Sequence, residues 1–259
     1  MIPDDYIFNE TTLLITHFNR SSSLENLLRA FQQQNCCFGE IIVSDDASEQ
    51  KHLNKIFELQ NIYKFKLLTT KKNSGLGNNI NKGQDAVSTP YTLYVQEDFE
   101  PIEGFRNHFY NALKLLKENE DIDIVRFYAY TKFPYLEPYK YGYSRMIFNK
   151  KLKGYSKFYY YSDHPHLRRS SFCEKFGKYK EGVNAERAEY HMMISFLQRK
   201  GNGLFFDNYQ SLFRHANSSD EPSTMERNSL RRSKNPIISA VRGIYRHIRF
   251  NFDLNFIRH

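Results

Sequence analysis

The hydrophobic residues of the amino-terminal half alternate between short runs of strand length and stretches with helical spacing. The runs of strand length lie at residues 11–16, 40–44, 65–68 and 93–95. Apolar residues at i, i+3, i+4 and i+7 predict a helix with one apolar face between the first two runs, and a second helix is predicted at residues 53–59. Strands that alternate with helices in this way indicate βαβ units. We therefore predict an α/β fold with a mostly parallel sheet flanked by helices.

The same alternation continues in the second half of the chain. Helical spacing recurs at residues 105–116 and 184–201, and residues 122–130 and 204–206 have the composition of strands. A further helix is predicted to open near His164 and to end at Gly177. We expect one domain over residues 1–225, followed by a basic segment over residues 226–259.

Acidic residues follow two of the predicted strands. They are Asp45 and Asp46 after residues 40–44, and Glu97, Asp98 and Glu100 after residues 93–95. Because the carboxyl ends of parallel strands meet at one edge of a sheet, these carboxylates should converge there. Buried carboxylates are costly unless a positive charge lies among them. One interpretation is a site for a hard divalent cation, which prefers oxygen ligands; the other is an acidic turn that caps a helix starting near Glu103.

Composition narrows the class of protein. The 259 residues include 40% hydrophobic residues, with 19 Tyr and 22 Phe, so a sizeable core is expected and disorder is not. A formal charge of +8 favours an anionic partner such as a nucleotide diphosphate, a nucleic acid or lipid headgroups. Three cysteines, two of them adjacent, fit neither a disulfide framework nor a metal-ligand spacing. The start of the sequence is unlike a signal peptide, and no run of 18 apolar residues occurs. Together with the cysteine pattern, these features predict a cytoplasmic location.

Four segments in order carry a resemblance to a known family. They are TTLLITHFNR (11–20), EIIVSDDAS (40–48), NSGLGNNINKG (73–83) and YTLYVQEDFEP (91–101). Together they resemble the nucleotide-binding half of family 2 glycosyltransferases and their GT-A-fold relatives. The resemblance implies a GT-A-type, Rossmann-like fold, with a nucleotide-sugar-binding half at residues 1–105 and an acceptor-side half at residues 106–225.

The resemblance also assigns candidate donor-site residues. Those expected to contact a nucleoside diphosphate sugar are Thr16, Asn19, Arg20, Asp46, Asn81 and Glu97. Asp46 suits this role because a carboxylate accepts the imide hydrogen of uracil or ribose hydroxyls, which favours UDP; an Asx turn is the alternative. The order Gln96-Glu97-Asp98 departs from the family's D-x-D and resembles an E-D-D variant. It implies that Asp98 holds Mn²⁺ or Mg²⁺, and leaves open whether that metal is obligatory.

A second group of candidates lies in the acceptor half. Counting back twelve residues from Gly201 reaches Glu189, with Tyr190 where the family commonly has an aspartate. The resemblance implies that Glu189, or Glu186 one turn earlier, deprotonates the acceptor hydroxyl. The alternative is that both acids stabilise the start of a helix.

Other positions are assigned more loosely by the same resemblance. His215 is expected to reach back to the metal, or to be structural. The remaining candidates, as contacts of the acceptor or the diphosphate or as a solvated helix face, are His166, Arg168 and Arg169. Ten of the tyrosines fall at residues 128–161, where they either hold a sugar acceptor or form a half-buried wall.

The carboxyl-terminal segment is basic. From residue 226 it has eight Lys and Arg against two acids, and apolar residues from 237 to 248 recur at helical spacing. Such a helix lies on an anionic membrane surface, packs on its own domain, or joins a homodimer. The first reading places the protein peripherally on the inner face of a membrane, which suits a lipid-linked acceptor.

These patterns together favour one function. We expect a metal-dependent, inverting glycosyltransferase that moves a sugar from a UDP-type donor to a hydroxyl of a saccharide or lipid-linked acceptor in surface polysaccharide synthesis. One alternative is a single-stranded nucleic-acid-binding protein, which the converging carboxylates argue against because they would repel phosphate. Another is a domain that binds sugar nucleotides without catalysis.

Overall fold

The structure, a computed structural model, describes residues 6–216 and 236–257. The strands are β1 (Tyr6–His17), β2 (Cys36–Asp45), β3 (Lys66–Leu68), β4 (Tyr91–Gln96), β5 (Phe99–Pro101), β6 (Ile124–Arg126), β7 (Leu136–Pro138), β8 (Tyr143–Met146), β9 (His166–Arg169), β10 (Gly203–Phe206) and β11 (Phe213–His215). The helices are α1 (Ser21–Gln33), α2 (Gln50–Tyr63), α3 (Leu76–Asp85), α4 (Phe105–Glu118), α5 (Phe172–Phe176), α6 (Ala185–Gln198) and α7 (Pro236–Phe256).

Nine of the described strands form one sheet in the order β3-β2-β1-β4-β9-β6-β10-β8-β7. Strands β8 and β9 pair antiparallel with both of their neighbours, and the other seven strands run in one direction. Strands β5 and β11 form a separate antiparallel pair. The predicted α/β fold with a mostly parallel sheet is confirmed.

Helices cover both faces of this sheet because side chains alternate along β1. Leu13 and Ile15 face a core shared with α1, α2 and α4, whereas Leu14 faces a second core shared with α3, α5, α6 and α7. All three side chains are fully buried. A strand buried on both faces reads as a continuous apolar run, which is why residues 11–16 could be recognised in the sequence.

The order in which successive strands are added to the sheet reverses at β1. Strand β2 lies on one side of β1 and β4 lies on the other, both parallel to it. In open α/β sheets the crevice at such a switch point, beyond the carboxyl ends of the strands, is where ligands bind. Thr16 is aligned there with Ser44 of β2 and Gln96 of β4, so the segments that follow all three strands emerge at one edge.

The structure corrects the prediction for residues 164–177. The predicted helix is instead β9 followed by the short helix α5, and β9 is inserted antiparallel between β4 and β6. Leu167 is fully buried and pairs with Leu93 on one side and Val125 on the other, so sheet pairing overrides the helical spacing.

Two further elements differ from the expected ones. The strand expected at 122–130 is limited to β6. The acidic stretch after β4 does not cap a helix: it continues into β5, and α4 begins one residue after Gly104.

Helix α7 packs on the rest of the protein through Phe250 and Leu254, which are 5% and 4% exposed. These side chains belong to the same core as α6. The proposed boundary between residues 225 and 226 lies outside the described residues. Within the described part of the chain, no helix combines the length and the apolar character that a membrane span requires.

Candidate active site

A buried ionic cluster lies just beyond β4. Asp98 Oδ2 accepts a hydrogen bond from Arg20 Nη1 at 2.7 Å and lies 3.2 Å from His215 Nε2. Glu97 Oε1 lies 3.8 Å from the same guanidinium nitrogen. Burial raises the pKa of Asp98, but the hydrogen bond with His215 and the guanidinium of Arg20 outweigh it and hold the pKa below its ordinary value. Arg20 and His215, which lie far from Asp98 in the sequence, therefore both contact the Asp98 carboxylate.

The turn that carries Arg20 is fixed by a second buried pair. His17 Nδ1 lies 2.8 Å from Asp45 Oδ1, and the backbone N–H of Arg20 donates to His17 Nε2 at 3.2 Å. Because Nε2 accepts this bond, Nδ1 carries the proton and donates to Asp45. Burial raises the pKa of Asp45, but hydrogen bonds from His17 and Ser48 outweigh it, and the net pKa is lowered. This pair holds the turn in the position from which Arg20 reaches Asp98.

Thr16 and Asn19 lie in or beside the same turn. Thr16 Oγ1 is 3.0 Å from Tyr94 Oη, and both side chains are buried. Asn19 has a φ of 53° and its Oδ1 accepts a hydrogen bond from the backbone N–H of Glu49 at 2.7 Å. The structure thus brings Thr16, Asn19 and Arg20 together at the β1–β4 switch point.

Asp46 lies at the same edge on the other side of β1. Its two carboxylate oxygens accept hydrogen bonds from the backbone N–H groups of Ser74 and Gly75, each at 2.8 Å. The carboxylate is 3% exposed and fixes the loop that leads into α3. Two strand spacings, on the order of 10 Å, separate the ends of β2 and β4, so Asp46 and Asp98 can face one ligand of nucleotide size.

Asn81 is engaged within the fold. Its Oδ1 accepts from the backbone N–H of Tyr179, and its Nδ2 donates to the Tyr179 carbonyl and to Glu181, all within 2.9 Å. Gly83, on the same helix, allows α3 to approach β1, because a Cβ there would lie 2.5 Å from Leu14 Cδ1. These residues position α3 beneath the sheet edge.

One oxygen of the Asp98 carboxylate is open to a ligand, and a cation is one that its chemistry would fit. Asp98 Oδ1 is buried and has no hydrogen-bond partner, so one carboxylate oxygen is left for a ligand. Among the described residues no group of three or more His, Cys, Asp or Glu side chains is arranged to hold a metal. Mg²⁺ is commonly held by one or two carboxylates together with substrate phosphates, and Asp98 offers one such carboxylate oxygen.

Glu189 is connected to this edge through Asp163. The backbone N–H of Asp163 donates to Glu189 Oε1 at 3.1 Å, and its carbonyl accepts from Gln96 Nε2 at 3.4 Å. Gln96 is the last residue of β4, so Glu189 stands on the β9 side of the switch point. Glu186 lies one turn earlier and is exposed, where Asn184 caps α6 by accepting from the Arg187 N–H at 3.0 Å.

Asp163 is the buried acid of this region. Its side chain is 3% exposed, Oδ1 accepts from Tyr161 Oη at 2.8 Å, and Oδ2 has no hydrogen-bond partner. Burial and the nearby charge of Glu189 raise the pKa of Asp163 to about 8. Asp163 is therefore a neutral acid at pH 7.

An aromatic cluster borders Asp98 on the same side. The rings of Phe99 and His215 are 4.9 Å apart, and those of Tyr130 and His164 are 4.7 Å apart at 90°. Tyr130 is 48% exposed and its hydroxyl lies 3.5 Å from His215 Nε2. One member of the tyrosine-rich stretch thus presents its ring beside the ionic cluster, whereas Tyr143, Tyr160 and Tyr161 lie in the core.

The remaining three candidates do not reach the ionic cluster. Arg168 is fully buried and donates to Tyr179 Oη and Gln84 Oε1 at 2.7 and 2.8 Å. Arg169 pairs with Tyr91 at the far end of β4, about 16 Å from its carboxyl end, and donates to backbone carbonyls. His166 is fully buried, and burial lowers its pKa well below the ordinary value. All three residues belong to β9, so their positions are fixed by the pairing of this strand within the sheet.

Two residues of the site, His17 and Asp163, were not predicted from the sequence. His17 had one available signal, since it lies within a recognised motif, two residues before Asn19. No motif surrounds Asp163, whose role depends on burial by segments distant in sequence.

Comparisons with known proteins bear on this geometry. The family description "Glycosyl transferase family 2" matches residues 12–177, more than half of the 259 residues. No curated protein sequence matches the chain significantly. Among solved structures, S. aureus TarS 1-349 is similar with a TM-score of 0.60 and 13% identity over 80% of this chain and 60% of that one.

The complex of TarS 1-349 with UDP-GlcNAc has a TM-score of 0.60 and 15% identity over 85% of this chain and 62% of that one. The complex with UDP has a TM-score of 0.56 and 15% identity over 79% and 59%. This chain therefore spans about three fifths of the TarS 1-349 chains that it matches, and at these identities the likeness shows the fold, which is the expected GT-A type. The family match identifies the chain as a member of glycosyl transferase family 2.

Proposed function

We propose that the protein transfers a sugar from a nucleoside diphosphate sugar, with UDP as the favoured nucleotide, to a hydroxyl of a saccharide or lipid-linked acceptor. The observation that carries this proposal is the convergence of Arg20, Asp98 and His215 at the carboxyl edge of the sheet. The similarity to a structure determined with UDP-GlcNAc supports the donor class.

The donor would occupy the crevice between Asp46 and Asp98. On the base and ribose side, the turn formed by Thr16 and Asn19 lies beside Asp46, whose position is held by two backbone N–H groups. On the diphosphate side, Arg20 supplies a positive charge within reach of both Glu97 and Asp98. A guanidinium is suited to phosphate because its planar donors match phosphate oxygens.

Asp98 and His215 would hold a divalent cation, Mn²⁺ or Mg²⁺. When bound, such an ion offsets negative charge on a departing diphosphate. One oxygen of Asp98 has no hydrogen-bond partner and could contact this ion, and the hydrogen bond with His215 and the guanidinium of Arg20 lower the pKa of the carboxyl group.

Glu189 would accept the proton of the acceptor hydroxyl, and attack from the face opposite the diphosphate would invert the configuration of the sugar. The neutral Asp163 holds Glu189 through its backbone N–H, and Tyr130 offers a ring face for a sugar beside His215. Glu186 is the second candidate for the base, one helical turn away and exposed.

The test compares Asp98→Asn and Glu189→Gln with Glu186→Gln as the matched control. We measure release of nucleoside diphosphate from a panel of donors, and binding of UDP with Mn²⁺ by calorimetry. Asp98→Asn should lose both binding and turnover. Glu189→Gln should lower turnover by about 10²–10⁴-fold while UDP binding is retained.

Glu186→Gln should behave as the wild type, and a loss confined to this control would transfer the base role to Glu186. Full turnover in Asp98→Asn and Glu189→Gln would contradict the assignment. UDP binding without turnover of any donor would indicate a domain that binds sugar nucleotides without catalysis. A thermal shift with a single-stranded oligonucleotide, but none with UDP, would favour the nucleic-acid alternative.

A further inference from the structure

Helix α7 has an exposed apolar face that the proposed reaction does not use. Among the α7 positions whose side chains are described, the exposed ones include seven large apolar or aromatic residues, each 41–67% exposed. They are Ile238, Val241, Ile244, Tyr245, Ile248, Phe252 and Phe256. At 3.6 residues per turn they fill one continuous arc of about 120° along the helix. An apolar stripe of this kind on a surface normally marks an interaction site.

The opposite face of α7 fixes the helix to the protein. Phe250 packs against Phe158 with ring centroids 5.4 Å apart and against Tyr190 at 5.2 Å. Gln198 Nε2 donates to the carbonyls of Leu254 and Ile257 at 3.0 and 2.7 Å. The exposed stripe is therefore not the side by which α7 joins the domain.

Positive charge lines one edge of the stripe. Arg242, Arg246 and Arg249 recur at i, i+4 and i+7 and lie between the apolar arc and the protein body. Arg246 stacks on Tyr155 and Arg249 on Tyr190, at 5.3 and 5.1 Å from the ring centroids, so both guanidinium groups are held in place. An apolar stripe with a flanking row of arginines is complementary to an anionic lipid surface, where apolar side chains enter the acyl boundary and guanidinium groups bind headgroup phosphates.

An antiparallel second copy of the chain suits this surface less well. In a two-fold antiparallel pair of α7 helices, both arginine rows would fall on the same side of the contact and repel each other. The one acid near the row, Asp253, is bonded to Tyr190 and Arg249 of its own chain.

We propose that the exposed face of α7 binds an anionic membrane surface. The proposal does not rest on the reaction assigned to the protein. Helix α7 also packs on α6, the helix that carries Glu189, so this attachment would bring the acceptor side of the protein close to the lipid surface.

The test measures co-sedimentation of the full chain with vesicles of phosphatidylcholine, alone or mixed with phosphatidylglycerol. We compare the wild type with the double variant Ile244→Asn/Ile248→Asn. The matched control is Ile62→Asn in α2, because Ile62 and Ile248 are 63% and 64% exposed. Thermal melting of each variant verifies folding, and sedimentation velocity reports the oligomeric state without vesicles.

The wild type and Ile62→Asn should bind phosphatidylglycerol vesicles and should bind phosphatidylcholine at least about tenfold more weakly. About 0.5 M NaCl should release both proteins. The double variant should melt as the wild type does and should partition onto the vesicles at least about tenfold more weakly. Burial of each isoleucine side chain in the acyl boundary contributes about tenfold or more to partitioning. Three results would each overturn the proposal: no binding to anionic vesicles, equal binding by the double variant, or a wild-type dimer that the double substitution dissociates.

Discussion

Replacing Asp163 with asparagine tests the electrostatics of the site. In the folded protein, burial and the charge of Glu189 raise the pKa of Asp163 from 3.8 to about 8. Between these values the folded state binds the proton and the unfolded state does not. Stability therefore falls as the pH rises through this window, by about 1.4 kcal/mol per pH unit from this one group.

Asparagine reproduces the protonated acid. Its Oδ1 can accept from Tyr161 Oη as Asp163 Oδ1 does, and its amide occupies the position of the oxygen that has no partner. The variant should match the wild type only at about pH 3, where Asp163 is neutral in both the folded and the unfolded state. By about pH 7 it should be the more stable protein by on the order of 4 kcal/mol, because its folding no longer takes up this proton.

Urea unfolding at a series of pH values provides the measurement. The useful quantity is the change with pH of the difference in unfolding free energy between variant and wild type, since all other titrating groups cancel. Glu189→Gln is the second variant, and it should lower the pKa of Asp163 and shorten the window by removing the nearby charge. Parallel pH dependences of wild type and Asp163→Asn would refute the reasoning.

Three further substitutions probe the framework, one at an aspartate and two at glycines. Asp46→Ala should lower the unfolding free energy by about 2–4 kcal/mol and weaken UDP binding, because it removes the acceptors for the Ser74 and Gly75 N–H groups. Urea unfolding measures the stability and calorimetry measures the binding. Unchanged stability would show that other contacts hold the loop. Gly77→Ala should destabilise by about 1–3 kcal/mol, since its Cβ would lie 2.5 Å from the Lys180 carbonyl oxygen. Gly243→Ala, whose Cβ would be 3.5 Å from Tyr155, should be neutral or stabilising by up to about 1 kcal/mol, and equal effects of the two alanines would contradict this comparison.

The first four strands were predictable because each is a short apolar run followed by polar residues. Such runs are local, and in β1 burial on both faces makes the signal continuous. The strand β9 was not predictable in this way. Its four residues include a histidine and two arginines, and pairing with β4 and β6 on both sides, rather than any periodicity, makes it a strand.

The chemistry of the site was predictable only where it follows a strand end. Arg20, Asp46 and Asp98 each follow shortly after the end of a parallel strand, so topology alone brings them to one edge. Arg168 shows the limit of such reasoning, because the sequence alone does not distinguish an arginine that binds phosphate from one that is buried in the fold. Here it is fully buried between a glutamine and a tyrosine, and the glutamine, Gln84, comes from a segment distant in sequence.

Arg20 is the positive partner of the buried acidic cluster beyond β4. Buried carboxylates need a positive partner, and this chain supplies one itself, so the burial of Asp98 does not by itself require a metal. One guanidinium against the carboxylates of Glu97 and Asp98 nevertheless leaves a net charge of −1 when His215 is neutral. A diphosphate entering this field would be repelled unless further positive charge arrived with it. In the proposed function, the oxygen of Asp98 that has no partner would receive that charge, so a cation would serve to bind the donor and not to fold the protein.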